Sequence, residues 1–205
     1  MKRKLVLLLA LPLSLTLTMQ AGSFNPVVEY TSTSTLNDTR PFTLGYSFTT
    51  TVSFDINALG VWYDGQGYSH AVGLWDSAGN LLVSTTVLPT DTVFGHFQYD
   101  PVSYLLAPGT YVIGAQLYEN GNSALFPYLA QGITSLPGYT WNTDCQLEGL
   151  GLNFPTVCDI GYGNNGIFYA DFSVVPSVPE PSGLLLLLGT GLAGTIAAFR
   201  RRINL

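Results

Sequence analysis

Between Gly22 and Val178 the chain has no lysine and one arginine, Arg40. The same stretch holds twelve acidic residues, which leaves it a formal charge of −11, while the whole chain carries only −6. A surface of this sign repels phosphate backbones and excludes nucleic acid as a partner. Without a lysine, Schiff-base catalysis in the body has no nucleophile. Histidine is scarce too, His70 and His96 being the only two. Cysteine is limited to Cys145 and Cys158, which cannot supply a four-ligand zinc site. Also missing are a Gly-x-Ser-x-Gly elbow, a His-Glu-x-x-His helix and any body segment with sustained 3.6-residue periodicity and caps.

The positive charge is concentrated at the two ends. Lys2-Arg3-Lys4 precede the apolar stretch Leu5 to Leu17, and small or polar residues follow up to Gly22. That order predicts a secretory signal peptide over 1–21, a short helix cleaved after Ala21. At the other end Val178-Pro179-Glu180-Pro181 leads into an apolar run closed by Arg200-Arg201-Arg202. The two prolines hold Glu180 in an extended segment. Residues 183–199 carry no charge, and as a helix they span roughly 26 Å, enough to approach the width of a bilayer. The three arginines form a stop on the side that does not translocate.

This tail, residues 176–205, resembles the PEP-CTERM sorting signal of exopolysaccharide-producing Gram-negative bacteria. The resemblance implies an exosortase-type processing enzyme as partner and passage through the inner membrane with the body in the periplasm. Transfer to the cell surface or the extracellular matrix follows, with exopolysaccharide as a candidate partner.

An even cysteine pair in an exported chain reads as one disulfide, Cys145–Cys158. The body itself reads as strands. Residues 22–40 are rich in Ser and Thr and predict a mobile leader, or an edge strand with little to bury. From Phe42 to Phe54 apolar residues fall at even positions, the mark of a sheet with one buried face, broken near Thr50-Thr51. Asp55-Ile56-Asn57 predicts a turn, with a second strand over 58–63. A hairpin over 70–87 turns at Asp76 to Asn80. Short strands follow at 94–99, 102–106 and 111–117, and Phe168 to Val174 forms the last one. Residues 131–166 predict an irregular surface excursion stapled by the disulfide. The sum is an all-β domain over 41–175, an antiparallel β-sandwich of jelly-roll-like form flanked by an N-terminal signal helix and a C-terminal transmembrane helix. The run from Leu44 to Tyr111, with Leu59-Gly60-Val61-Trp62, His70-Ala71-Val72-Gly73-Leu74-Trp75 and Ala107-Pro108-Gly109-Thr110-Tyr111, resembles an uncharacterised β-sandwich domain of secreted bacterial proteins. That resemblance implies a fold and no reaction.

Two glycine patterns, Gly161-x-Gly163-x-x-Gly166 and Gly189-x-Gly191-x-x-Gly194, match dinucleotide spacing, but the first precedes a strand and the second lies in the apolar tail. The loops carrying Asp64 and Asp76 offer oxygen donors suited to calcium, though neither has EF-hand spacing, and turn chemistry accounts for both. No other cofactor is implied. Trp62 and Trp75 are expected in the core. Trp141 with Tyr139 is the candidate exposed platform for sugar rings. Glu29, Glu119 and Glu148, with the aspartates of the body, are the acids a glycosidase would draw on. The sequence thus favours a structural or adhesive exported protein with no catalysis. A carbohydrate-binding module comes second and a glycan-active enzyme third.

Overall fold

The computed structural model describes residues 24–117, 124–158 and 166–175. The signal peptide, the sorting motif Val178 to Pro181, the apolar run 183–199, Arg200 to Arg202 and Glu119 lie outside them, as do both predicted flanking helices. Among the described residues no helix is long and apolar enough to cross a membrane.

The described chain is all strand: β1 (Val28–Glu29), β2 (Ser32–Asp38), β3 (Phe42–Thr50), β4 (Phe54–Trp62), β5 (His70–Asp76), β6 (Leu81–Val87), β7 (Thr92–Phe94), β8 (Phe97–Leu106), β9 (Gly109–Gln116), β10 (Ala124–Gln131), β11 (Thr134–Ser135), β12 (Tyr139–Glu148), β13 (Val157–Cys158) and β14 (Ala170–Val174). Six form one sheet in the order β13-β12-β3-β9-β5-β6, and four form a second in the order β14-β4-β8-β7. The pairs β1–β11 and β10–β2 are separate ribbons. Neighbouring strands run antiparallel throughout.

The core between the sheets is aromatic. Leu44, Tyr46 and Phe48 of β3 point into it at alternate positions, as the period-two pattern requires. Phe48 stacks on Tyr139 at 5.1 Å, meets Phe172 of β14 at 5.3 Å, and sits 6.2 Å from Tyr46. Burying side chains of this size supplies the main driving force, about 25 cal/mol for each Å² of apolar surface removed from water.

Four expectations change. The break expected near Thr50-Thr51 is there, β3 ending at Thr50, but Asp55 to Asn57 make no turn and lie inside β4, where a bulge opposite Tyr104 and Pro101 absorbs the irregularity. Residues 97–106 form one strand through Pro101, because proline is tolerated where a bulge already interrupts the ladder. The Ser/Thr-rich segment is no leader with little to bury: Val27, Val28 and Tyr30 are in the core, and only β2 beyond them is an exposed strand. Within the described part of the predicted excursion, 139–148 are no loose loop, since β12 is a ten-residue strand paired with β3 along its length. The Cys145–Cys158 disulfide is present and joins register partners on β12 and β13.

Candidate functional site

β12 decides the fate of the predicted sugar platform. A strand alternates its side chains between faces, so Tyr139 and Trp141 share the side turned to the core. Tyr139 is buried against Phe48, and Trp141 is half-buried against Phe168 at 6.2 Å. Tyr139 therefore offers no open face, while Trp141 keeps part of its surface exposed. The outward residues are Thr140 and Asn142. Asn142 Nδ2 donates to Ser47 Oγ and Thr49 Oγ1, each at 3.1 Å, and Thr49 and Thr110 hydroxyls lie 3.1 Å apart. This end of the sheet's outer face is a wet ladder of hydroxyls and an amide.

Asp64 and Asp76 are brought to opposite ends of β5. Asp76 Oδ1 accepts from the N–H groups of Ala78 and Asn80, and Oδ2 from Asn80 Nδ2 at 2.8 Å. Those bonds, the Asn80 side chain's first, hold its carboxyl below the usual range. Asp64 Oδ1 accepts from Gln66 N at 2.8 Å and closes its own turn. Among the described residues no three metal-ligating side chains gather. Each histidine is bonded to a neighbour. His70 Nδ1 lies 2.9 Å from the Gln116 carbonyl and 3.2 Å from the Tyr169 hydroxyl. His96 Nδ1 lies 3.2 Å from Glu29 Oε2, and its ring stacks on Tyr30 at 4.3 Å.

Two buried acids went unremarked in the sequence. Asp171 has no solvent exposure, and Tyr99 OH donates to its Oδ2 at 2.6 Å. Burial pushes this carboxyl well above the usual range, against the pull of the Tyr99 bond and of the N–H groups of Phe172 and Val28. Asp144, buried on β12, is pushed up to about 6 by burial, while the Ile167 N–H at 2.8 Å and Trp141 pull it back. The signal for Asp171 was available. An acid between Ala170 and Phe172, at the heart of the run Ile167 to Val174, is out of place on a buried strand unless paired.

The open surface worth naming lies where β14 leaves its sheet. A cleft of about 480 Å³ is walled by Asn25, Ser53, Asp55, Phe54, Leu136 and Val175. Adjoining it, and sharing Asn25 and Leu136, is a second of about 300 Å³ that reaches Glu29, Phe94 and Thr134. A small third cleft of about 60 Å³ sits beside Asp38 and Arg40. Each of the three carries a single acidic side chain.

The model of a family described as a domain of unknown function, DUF4082, matches residues 29–159. A second model, the PEP-CTERM protein-sorting motif, matches residues 177–202. No curated protein and no solved structure matches the chain. The first match ends before β14, although that strand brings Phe172 and Asp171 into the core. The second begins just beyond β14, so the sorting signal follows the sandwich almost directly. The PEP-CTERM motif makes this a sorted, exported protein that passes through the membrane before an exosortase-type enzyme processes it. Matched over more than half of its length, the chain belongs to the DUF4082 family.

Proposed function

We propose that the chain is a structural or adhesive protein of the cell surface or polysaccharide matrix, a non-catalytic sandwich delivered by its tail. The observation that carries this reading is the position of the sorting motif, which begins at residue 177, past β14, the last strand among the described residues. Two further features support it. The disulfide suits an oxidising compartment. Two interior polar side chains are engaged within the fold: Asp171 accepts from Tyr99, and His70 meets Gln116 and Tyr169.

The test is to replace Pro179, Glu180 and Pro181 with alanine in the full-length chain. The variant should accumulate unprocessed in the membrane fraction, while the natural chain appears at the surface or outside in a shorter form. Equal processing of both would remove the tail from the account.

The second reading, carbohydrate binding, now rests on the paired clefts. Asn25, Ser53 and Asp55 stand beside Phe54 and Leu136, a mixture of hydrogen-bonding and apolar groups suited to a neutral sugar chain. Binding of a polysaccharide by the exported protein, abolished by Ser53→Trp, would favour this reading over a purely structural one. Turnover of any glycan, lost on Glu148→Gln or Glu119→Gln, would overturn the non-catalytic one.

A further inference from the structure

The segment between β12 and β13, residues 149–156, folds back over the outer face of the six-stranded sheet. Its seat is built by glycine. Gly45, Gly114 and Gly73 are register partners on β3, β9 and β5, so three adjacent strands present bare backbone in one line. A methyl group at Gly73 would meet the Trp75 ring and Leu152, and one at Gly114 would meet Thr43 and Pro155. Trp75 and its register partner Val112 are buried, yet stand outside the central core. Phe154 lies over Trp75 at 6.1 Å and under Gly79 of the β5–β6 turn. The segment is therefore a strap over a satellite core.

Few polar bonds hold it. Gly149 N donates to the Pro41 carbonyl at 2.9 Å, Asn153 N donates to Thr43 Oγ1 at 2.9 Å, and Thr43 Oγ1 reaches the Gly151 carbonyl at 3.4 Å. Among the described residues the far end returns to the sheet through two residue pairs of β13, one of which is the disulfide itself. The cysteines differ in access: Cys145 is fully buried, and Cys158 is exposed.

We propose that the disulfide is the latch of this strap, and that thiol–disulfide exchange at Cys158 opens it and bares Trp75 and the glycine line. The reacting partner is a dithiol. Its thiolate attacks Cys158 Sγ, the sulfur–sulfur bond breaks, and Cys145 Sγ departs with the electron pair and takes up a proton. The second thiol of the partner then attacks the mixed disulfide. This releases Cys158 as a thiol and the partner as its own disulfide, so two electrons pass from partner to protein. Opening leaves the central core intact, because the residues it uncovers lie on the sheet's other face.

The experiment uses the exported chain with its disulfide formed. Dithiothreitol is added under native conditions and amide hydrogen exchange is followed by mass spectrometry. Exchange at Gly149 and Asn153 should rise roughly 100-fold, the factor that loop-closure entropy assigns to a crosslink over a loop of this size, while β4, β8 and β14 keep their protection. Brief treatment with the monothiol glutathione, quenched by acid, should place the adduct on Cys158. Unchanged exchange in the strap would show that packing alone holds it and would overturn the proposal, as would exchange rising throughout both sheets. An adduct on Cys145 would overturn the direction of attack. Phe154→Ser with the disulfide intact should free Trp75 but leave Gly149 protected, which separates the latch from the seat.

Discussion

The outer face of the six-stranded sheet has two ends that obey different rules. At one end Ser47, Thr49, Thr110 and Asn142 bond to one another in water. At the other, Thr43, Gly45, Gly73, Gly114, Val112 and Trp75 are buried under the strap. Both ends belong to the same strands, β3 and β9, so strand propensity cannot separate them. The cover separates them. Where a second layer lies on the sheet, outward positions become small or apolar; where none does, they are hydroxyls and amides.

The largest expected effect comes from filling the glycine line. At Gly45 a side chain would run into the Ile113 carbonyl and the Gly114 Cα, both backbone, so the strands themselves must part. Gly45→Val should cost more than about 3 kcal/mol, read as a lower denaturant midpoint, or prevent folding. Replacing both cysteines with alanine comes next, at about 3 kcal/mol by loop closure, with the loss concentrated in the strap.

Asp144 sharpens the comparison through pH, because it sits beside Cys145 at the foot of the strap. Its folded carboxyl is pushed up to about 6 from 3.8, so between those values the folded state holds a proton that the unfolded chain has lost. The stability tied to that proton is complete below about pH 3.8 and gone above about pH 6. Asp144→Asn should therefore match the natural protein near pH 4 and exceed it by up to about 3 kcal/mol at pH 7, in chemical denaturation at the two values. Asp171 acts in the same direction and remains in both proteins, so their difference isolates Asp144. At the wet end, Asn142→Ala should change stability by less than about 0.5 kcal/mol, since water replaces both of its bonds. A loss near that of the cysteine variant would mean the two ends are alike after all.

These contrasts also mark where the sequence was readable. β3 declared itself by Leu44, Tyr46 and Phe48, with Gly45 and Ser47 between them, because one of its faces is wet for half its length. The β5–β6 hairpin was legible from the Asp76 to Asn80 turn, whose side-chain bonds are local. β12 was hidden. Tyr139-Thr-Trp-Asn-Thr-Asp-Cys alternates too, but a bulge between Trp141 and Thr143 shifts the pattern, and Asp144 and Cys145 are both buried. A strand whose alternation is shifted by a bulge and then buries an acid and a cysteine in succession gives no steady period to read. β1 was lost for another reason, since the packing residues Val27, Val28 and Tyr30 are few and uneven in spacing, with Glu29 and Thr31 among them. The sorting tail needed no fold at all: proline, charge and apolar length are written in order. The clefts around Asn25 and Asp55 gather residues more than eighty positions apart, which sequence cannot assemble.

The central claim, that the strap seals a second core on the outer face, can be tested on Trp75 alone. With Trp62 and Trp141 changed to phenylalanine, Trp75 is the sole tryptophan, and acrylamide quenching of its fluorescence reports its exposure. The account predicts weak quenching while the disulfide is intact and strong quenching after reduction. Strong quenching in the oxidised protein would contradict it.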